Sequence, residues 1–172
     1  MGERSGAITM KGQPLTLMGQ EVKVGTPAPD FEVTDNDLAS FRFSALKGQV
    51  CLIASVPSLD TSVCDLETRR FNDDAANLSK DIRLMTISMD LPFAQKRWCG
   101  AAGVERLKTY SDHRLASFGL AYGVLIKELR LLARAVFVVD RAGMLQYVEV
   151  VPELVNQPDY EAILQVVKRL AG

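Results

Sequence analysis

The stretch Val50-Cys51-Leu52-Ile53-Ala54-Ser55-Val56 constrains the fold most: it carries no charge from end to end, and Pro57 stops it. Such a run reads as a strand covered on both faces, which belongs inside a sheet with helices above and below. Ile82–Met89 repeats the pattern, and Ala135–Asp140 supplies a third apolar strand. Between the first two, Asp65–Leu78 has helical spacing, with Leu66, Phe71 and Leu78 on one side and charges on the other. Pro92 suits the first position of another helix, which runs to Trp98 or Ala102 before Gly103.

The flanking segments complete the pattern. Ile8–Leu17 reads as two short strands around the turn-forming Lys11-Gly12-Gln13-Pro14. Pro27 and Pro29 stiffen the connector Gly25–Asp30, and Phe31–Thr34 and Phe41–Phe43 are short strand candidates. A short segment spans Leu107–Tyr110, and a weak helix lies near Leu115–Phe118. Met144–Val151 pairs with Ala135–Asp140 across Arg141-Ala142-Gly143, and Tyr160–Leu170 is an amphipathic closing helix. Strand and helix alternate and the chain ends on a strand pair and a helix. That order specifies an α/β layer structure: a mixed sheet with helices on both faces. At 172 residues one domain suffices, assigned to residues 7–172 with 1–6 as a tail.

Charge and cysteine content narrow the function. The formal net charge is −1 and no basic stripe stands out, so neither a nucleic acid nor an anionic membrane surface is expected as a partner. Met1–Met10 lacks the apolar core of a signal peptide, and no run of about 18 apolar residues is present to span a bilayer. A cytoplasmic location is the expectation. Cys51, Cys64 and Cys99 are too few for a secreted disulfide framework and form no Cys-x-x-Cys pair. With a single histidine, His113, a Cys/His metal site would consume nearly every ligand, so neither metal nor cofactor is expected. His113 reads as a solvated loop residue and Cys51, inside the apolar strand, as packing.

Chemistry concentrates where the first strand ends. Pro57 breaks the strand, and Cys64 then falls in the first turn of the following helix, among unpaired backbone N–H groups and the positive end of the helix dipole. That environment favours a thiolate, the nucleophilic form of cysteine. The junction at the carboxyl end of a buried strand is also where open α/β sheets place their sites. Thr61 can put its hydroxyl on the sulfur's side, within reach of a thiolate. The plainer reading is that Cys64 is a small apolar residue packed under a helix. Asp65 and Glu67 work against a nearby thiolate by their charge, so a cation has to offset them, and arginine is the natural candidate.

Pro57-x-x-x-Thr61-x-x-Cys64 resembles the active-site signature of peroxiredoxins. Four segments are similar to the bacterial thiol peroxidase group, an atypical two-cysteine class: Ser58–Cys64, Asp90–Gly100, Leu132–Val136 and Pro158–Ala162. They occur in family order, and the resemblance covers about residues 7–170. It implies a thioredoxin-like fold with an N-terminal hairpin and a thiol-specific peroxidase acting on hydrogen peroxide and organic hydroperoxides. It makes Cys64 the peroxidatic and Cys99 the resolving cysteine, joined in turnover by an intramolecular disulfide that thioredoxin reduces. Thr61 and Arg134 become the polar partners of thiolate and peroxide, and Pro57 shields them from water. The resemblance also implies a homodimer.

Arg134 opens the apolar strand Ala135–Val139, which suggests a buried or half-buried charge in need of a partner, against the plainer reading of an ordinary ion pair. Because the two cysteines are expected on separate helices, local unwinding around one of them is expected during turnover. Some positions depart from the family pattern. Val56 stands where an aromatic residue is common, Trp98 where phenylalanine is, and Asp65 and Glu67 where small residues are frequent. Val124–Leu131 is less glycine-rich than the pattern. Three other readings compete: a thioredoxin-like disulfide reductase, a non-enzymatic redox sensor and a structural protein with inert cysteines. The first wants a cysteine where Thr61 stands.

Overall fold

A computed structural model describes residues 2–75 and 77–171. Among these residues ten strands, four α-helices and one short 3-10 helix (Phe43–Leu46) follow one another. β1 (Glu3–Met10) and β2 (Gln13–Met18) form the N-terminal hairpin, and β3 (Glu32–Thr34) and β4 (Ser40–Arg42) form a second, shorter one. Then come β5 (Val50–Ser55), α1 (Ser62–Ala75), β6 (Ile82–Ser88), α2 (Pro92–Ala102) and β7 (Leu107–Ser111). The chain ends through α3 (Ser117–Ala121), β8 (Leu125–Ile126), β9 (Ala135–Val139), β10 (Leu145–Val150) and α4 (Tyr160–Ala171).

The main sheet has the order β10-β9-β5-β6-β7-β3-β4. β5, β6 and β7 run parallel, because each is joined to the next through a helix, whereas β9 returns antiparallel to β5. This is the mixed sheet expected from the alternating pattern. A smaller sheet, β1-β2-β8, lies apart from it.

Side chains of β5 alternate between two cores, as the two-residue repeat of a strand requires. Val50, Leu52 and Ala54 meet Phe71 and Ala75 of α1 and Ile163 and Val167 of α4. Cys51 and Ile53 point into the opposite layer, with Ile8, Leu15 and Leu17 of the hairpin and Phe118 of α3. Phe31, Phe118, Tyr122 and Phe137 stack or meet edge to face in that layer at centroid separations of 4.7–6.0 Å. Every residue of β5 is buried, as its uncharged composition demands.

Four details differ from the sequence-based expectations. β1 begins at Glu3, so Glu3–Gly6 belong to the hairpin and not to a tail; Arg4 bonds the carbonyl of Gly123 and pairs with Glu21. β8 was not expected, since two residues of strand exist only because β2 lies alongside. α1 begins at Ser62. Leu66 is 55% exposed, because the buried stripe of α1 runs through Cys64, Glu67, Thr68, Phe71 and Ala75.

Candidate active site

β5 delivers the chain to Val56, whose amide is held by the Ile87 carbonyl of the neighbouring strand at 3.0 Å, and Pro57 is buried directly after it. The loop that follows is fastened by one carboxylate. Asp90 accepts from Ser58 Oγ at 2.7 Å, from the Leu59 amide at 2.8 Å and from Ser88 Oγ at 2.8 Å. Thr61 Oγ1 then accepts from the Cys64 amide at 3.4 Å, the usual bond of a threonine preceding a helix, and donates its own proton to the Ser58 carbonyl at 3.1 Å. With its single proton spent on Ser58, Thr61 meets Cys64 through the backbone and not through the sulfur.

Cys64 is fully buried in a cluster with Val56 and Leu59, against which Trp98 packs. Its sulfur lies 3.2 Å from Nη2 of Arg134, a donor arriving from the start of β9. Arg134 is itself 2% exposed and uses three donors in three directions: Nη2 to Cys64, Nη1 to Glu67 at 2.6 Å and Nε to the Leu154 carbonyl at 3.0 Å. A guanidinium holds such a fork rigidly where an ammonium would not. Burial works against its charge, but the adjacent Glu67 and Cys64 outweigh this and raise its pKa further. Burial likewise pushes the Glu67 carboxyl up while Arg134 pulls it down. A contact of 2.6 Å to a cation that never deprotonates keeps this pair ionic.

Glu67 was expected as a charge that opposes the thiolate. It lies instead on the buried face of α1, three residues after Cys64, and pins the cation that faces the sulfur. The helical spacing of Cys64 and Glu67, together with a buried arginine in need of a partner, is the signal that could have found it. Asp65 faces away from the thiol, towards Trp98 Nε1 at 2.7 Å and Arg69 Nε at 2.9 Å.

Cys99 sits in the last turn of α2, half-buried, with its sulfur 3.2 Å from Thr109 Oγ1 of β7 and 3.9 Å from Asn36 Nδ2. Thr109 donates its one proton to Asn36 Oδ1 at 3.0 Å, so the thiol is the donor in the contact with Thr109. Cys64 and Cys99 are both free thiols with no partner side chain in common. Of the residues singled out by sequence, Thr61 and Arg134 hydrogen-bond to Cys64, Pro57 is buried at the end of the preceding strand, and Cys99 rests on other partners. Asp90, Asn36 and Thr109 had no assigned role. Cys51 is buried, and burial pushes its thiol up to about 12, while Arg83 pulls slightly the other way. Among the described residues no group of three or more His, Cys, Asp or Glu side chains is placed to hold a metal ion, and no helix is long and apolar enough to cross a membrane.

Known proteins share this architecture. The family model described as Redoxin matches residues 23–164. A thiol peroxidase of Halalkalibacterium halodurans is 57% identical over 162 residues, 94% of this chain and 97% of its own length. Its counterpart in Bacillus subtilis is 56% identical over 163 residues, 95% of this chain and 97% of its own. The crystal structure of a peroxiredoxin-like protein from Aquifex aeolicus superimposes with a TM-score of 0.89 at 40% identity, covering 97% of each chain. A thiol peroxidase from Chromobacterium violaceum shares the fold, with a TM-score of 0.84 at 20% identity over 94% of this chain and 95% of its own. A thioredoxin-like mixed sheet, a cysteine at the head of the helix after its central strand, and identity above one half over nearly the whole length lead to one conclusion: the chain belongs to the redoxin family and, within it, to the bacterial thiol peroxidases.

Proposed function

We propose that this protein is a thiol-specific peroxidase in which Cys64 reduces hydrogen peroxide and organic hydroperoxides and Cys99 resolves the product. The observation that carries the reading is the 3.2 Å contact between Arg134 Nη2 and the buried Cys64 sulfur, with the guanidinium held in place by Glu67 and Leu154. A cation fixed beside a sulfur at a helix N-terminus favours the thiolate. It also stands ready for the negative charge that grows on the leaving oxygen.

The thiolate attacks the terminal oxygen of ROOH. The O–O bond breaks, ROH leaves once it has taken a proton, and Cys64 becomes a sulfenic acid. Arg134 and backbone N–H groups at the start of α1 stabilise the leaving oxygen, Thr61 holds that first turn through its bond to the Cys64 amide, and Pro57 walls the site from water. Cys99 thiol then condenses with the sulfenic acid, releasing water and forming the Cys64–Cys99 disulfide. Thioredoxin returns both thiols by dithiol–disulfide exchange. For this Cys99 has to leave Asn36 and Thr109, which calls for unwinding of the last turn of α2. We place the enzyme in the cytoplasm, as a homodimer.

The test is single-turnover peroxide consumption by reduced protein, compared with Cys64→Ser and Cys99→Ser. The reading expects fast consumption that vanishes in Cys64→Ser and persists for one turnover in Cys99→Ser. Slow consumption by the unmodified protein, equal in all three, overturns it.

A further inference from the structure

We propose that Asp65, Arg69 and Trp98 form a clamp on the resolving turn, setting how often oxidised Cys64 closes its disulfide before a second peroxide reaches it. The proposal rests on the roles given above to Cys64 and Cys99. Asp65 is the residue after Cys64, and Trp98 the residue before Cys99. The two are joined by the 2.7 Å bond from Trp98 Nε1 to Asp65 Oδ1. Arg69, one turn along α1, completes the clamp. Its Nε donates to the other oxygen of Asp65 at 2.9 Å, and its guanidinium carbon lies 5.7 Å from the centre of the Trp98 ring. Nη1 reaches the carbonyl of Ala102, the last residue of α2, at 3.4 Å.

The position of the clamp gives it its effect. Cys99 points to the other side, into Thr109 and Asn36, while Trp98 packs against Val56, Leu59 and Cys64. Any backbone movement that lifts Cys99 out of its rest site turns the peptide at residues 98–99, and so pulls Trp98 from Asp65. The clamp therefore stabilises the conformation in which Cys99 is withheld. A charged acceptor makes its central bond stronger than a neutral one.

Two reactions compete for the sulfenic acid. In closure, Cys64–SOH and Cys99–SH give the disulfide and water, with the sulfur–sulfur bond replacing the sulfur–oxygen bond. In over-oxidation, the sulfenate attacks a second ROOH, giving the sulfinate and ROH; sulfur loses two electrons and the peroxide gains them. Closure waits for unwinding and over-oxidation does not. The clamp accordingly favours the second path as the peroxide concentration rises.

Trp98 is the sole tryptophan, so its fluorescence reports the clamp directly. Reduced protein is mixed with hydrogen peroxide and followed by stopped flow, and the sulfinate fraction is measured by mass spectrometry. Asp65→Asn and Arg69→Met should accelerate the closure phase, Asp65→Asn by about ten-fold (~1.4 kcal/mol). The sulfinate fraction should fall with it, and Asp65→Glu should return both towards the parent values. If Asp65→Asn proves unfolded by circular dichroism, Arg69→Met carries the same readout. Closure at an unchanged or lower rate in the folded variants overturns the clamp. Cys99→Ser separates the two readings. A closure phase that persists in it overturns the resolving role, and the clamp falls with it. If instead that phase is lost in Cys99→Ser while the Asp65 and Arg69 variants behave like the parent, the clamp alone falls.

Discussion

Glu67 and Arg134 meet at 2.6 Å with side chains 0% and 2% exposed, a buried ion pair joining the first turns of α1 to the start of β9. Removing one member leaves the other charge uncompensated in the core. Glu67→Ala should destabilise the fold by about 3–5 kcal/mol, while Glu67→Gln, which keeps an acceptor for Arg134, should cost less. A urea midpoint that drops at unchanged slope checks this. Equal midpoints for Glu67→Ala and the parent would mean that Arg134 finds another partner.

Arg134 serves three acceptors at once, and a lysine has neither the reach nor the fork to do so. Peroxide consumption in single-turnover stopped flow should fall about 10²–10³-fold in Arg134→Met, as for loss of one donor to a developing oxyanion. Arg134→Lys should recover little of it. Recovery by lysine to near the parent rate would show that charge alone matters, and not the geometry of the fork.

Cys51 gives a pH-dependent test. Burial raises its thiol to about 12, against about 8.5 for a free cysteine, so the folded state binds the proton more tightly than the unfolded one. The associated stability is complete below pH ~8.5 and is lost as the pH climbs from there towards 12. At pH 9, iodoacetamide should leave Cys51 unmodified in the native protein and label it in denaturant, as read by peptide mass spectrometry. Native labelling at the rate of an exposed thiol would contradict the burial.

The hairpin meets the rest of the molecule at Gly19, which has φ +106° and directly faces the Leu120 backbone. A Cβ there would collide with the Leu120 carbonyl, on top of the strain of that backbone region. Gly19→Ala should therefore cost about 1–3 kcal/mol or more, whereas Gly143→Ala, at φ +82° in open space, should cost only the strain of its φ. Thermal midpoints of the two variants give the comparison, and a smaller drop for Gly19→Ala would sink the account.

The sequence alone determined the features that local physics decides. An uncharged run ending in proline has to be an interior strand, and the residues after it have to start a helix, so Cys64 arrives at a helix N-terminus whatever the rest of the chain does. Helical and strand periodicity likewise marked α4, β6 and β9 close to their observed limits. Tertiary structure decided what depends on distant partners. Arg134 stands 70 positions from Cys64, and only the antiparallel return of β9 beside β5 brings it to the sulfur. Glu67 read as a charge opposing the thiolate because nothing local shows which partner a glutamate on that helix will meet; the arginine opposite it makes the difference. Leu66 lost its expected place in the core for the same reason, since the site turns the buried face of α1 towards Cys64 and Glu67. The resting place of Cys99 on Asn36 and Thr109 joins α2, β7 and the turn between β3 and β4, and hydrogen bonds between them carry no periodicity for a sequence to display.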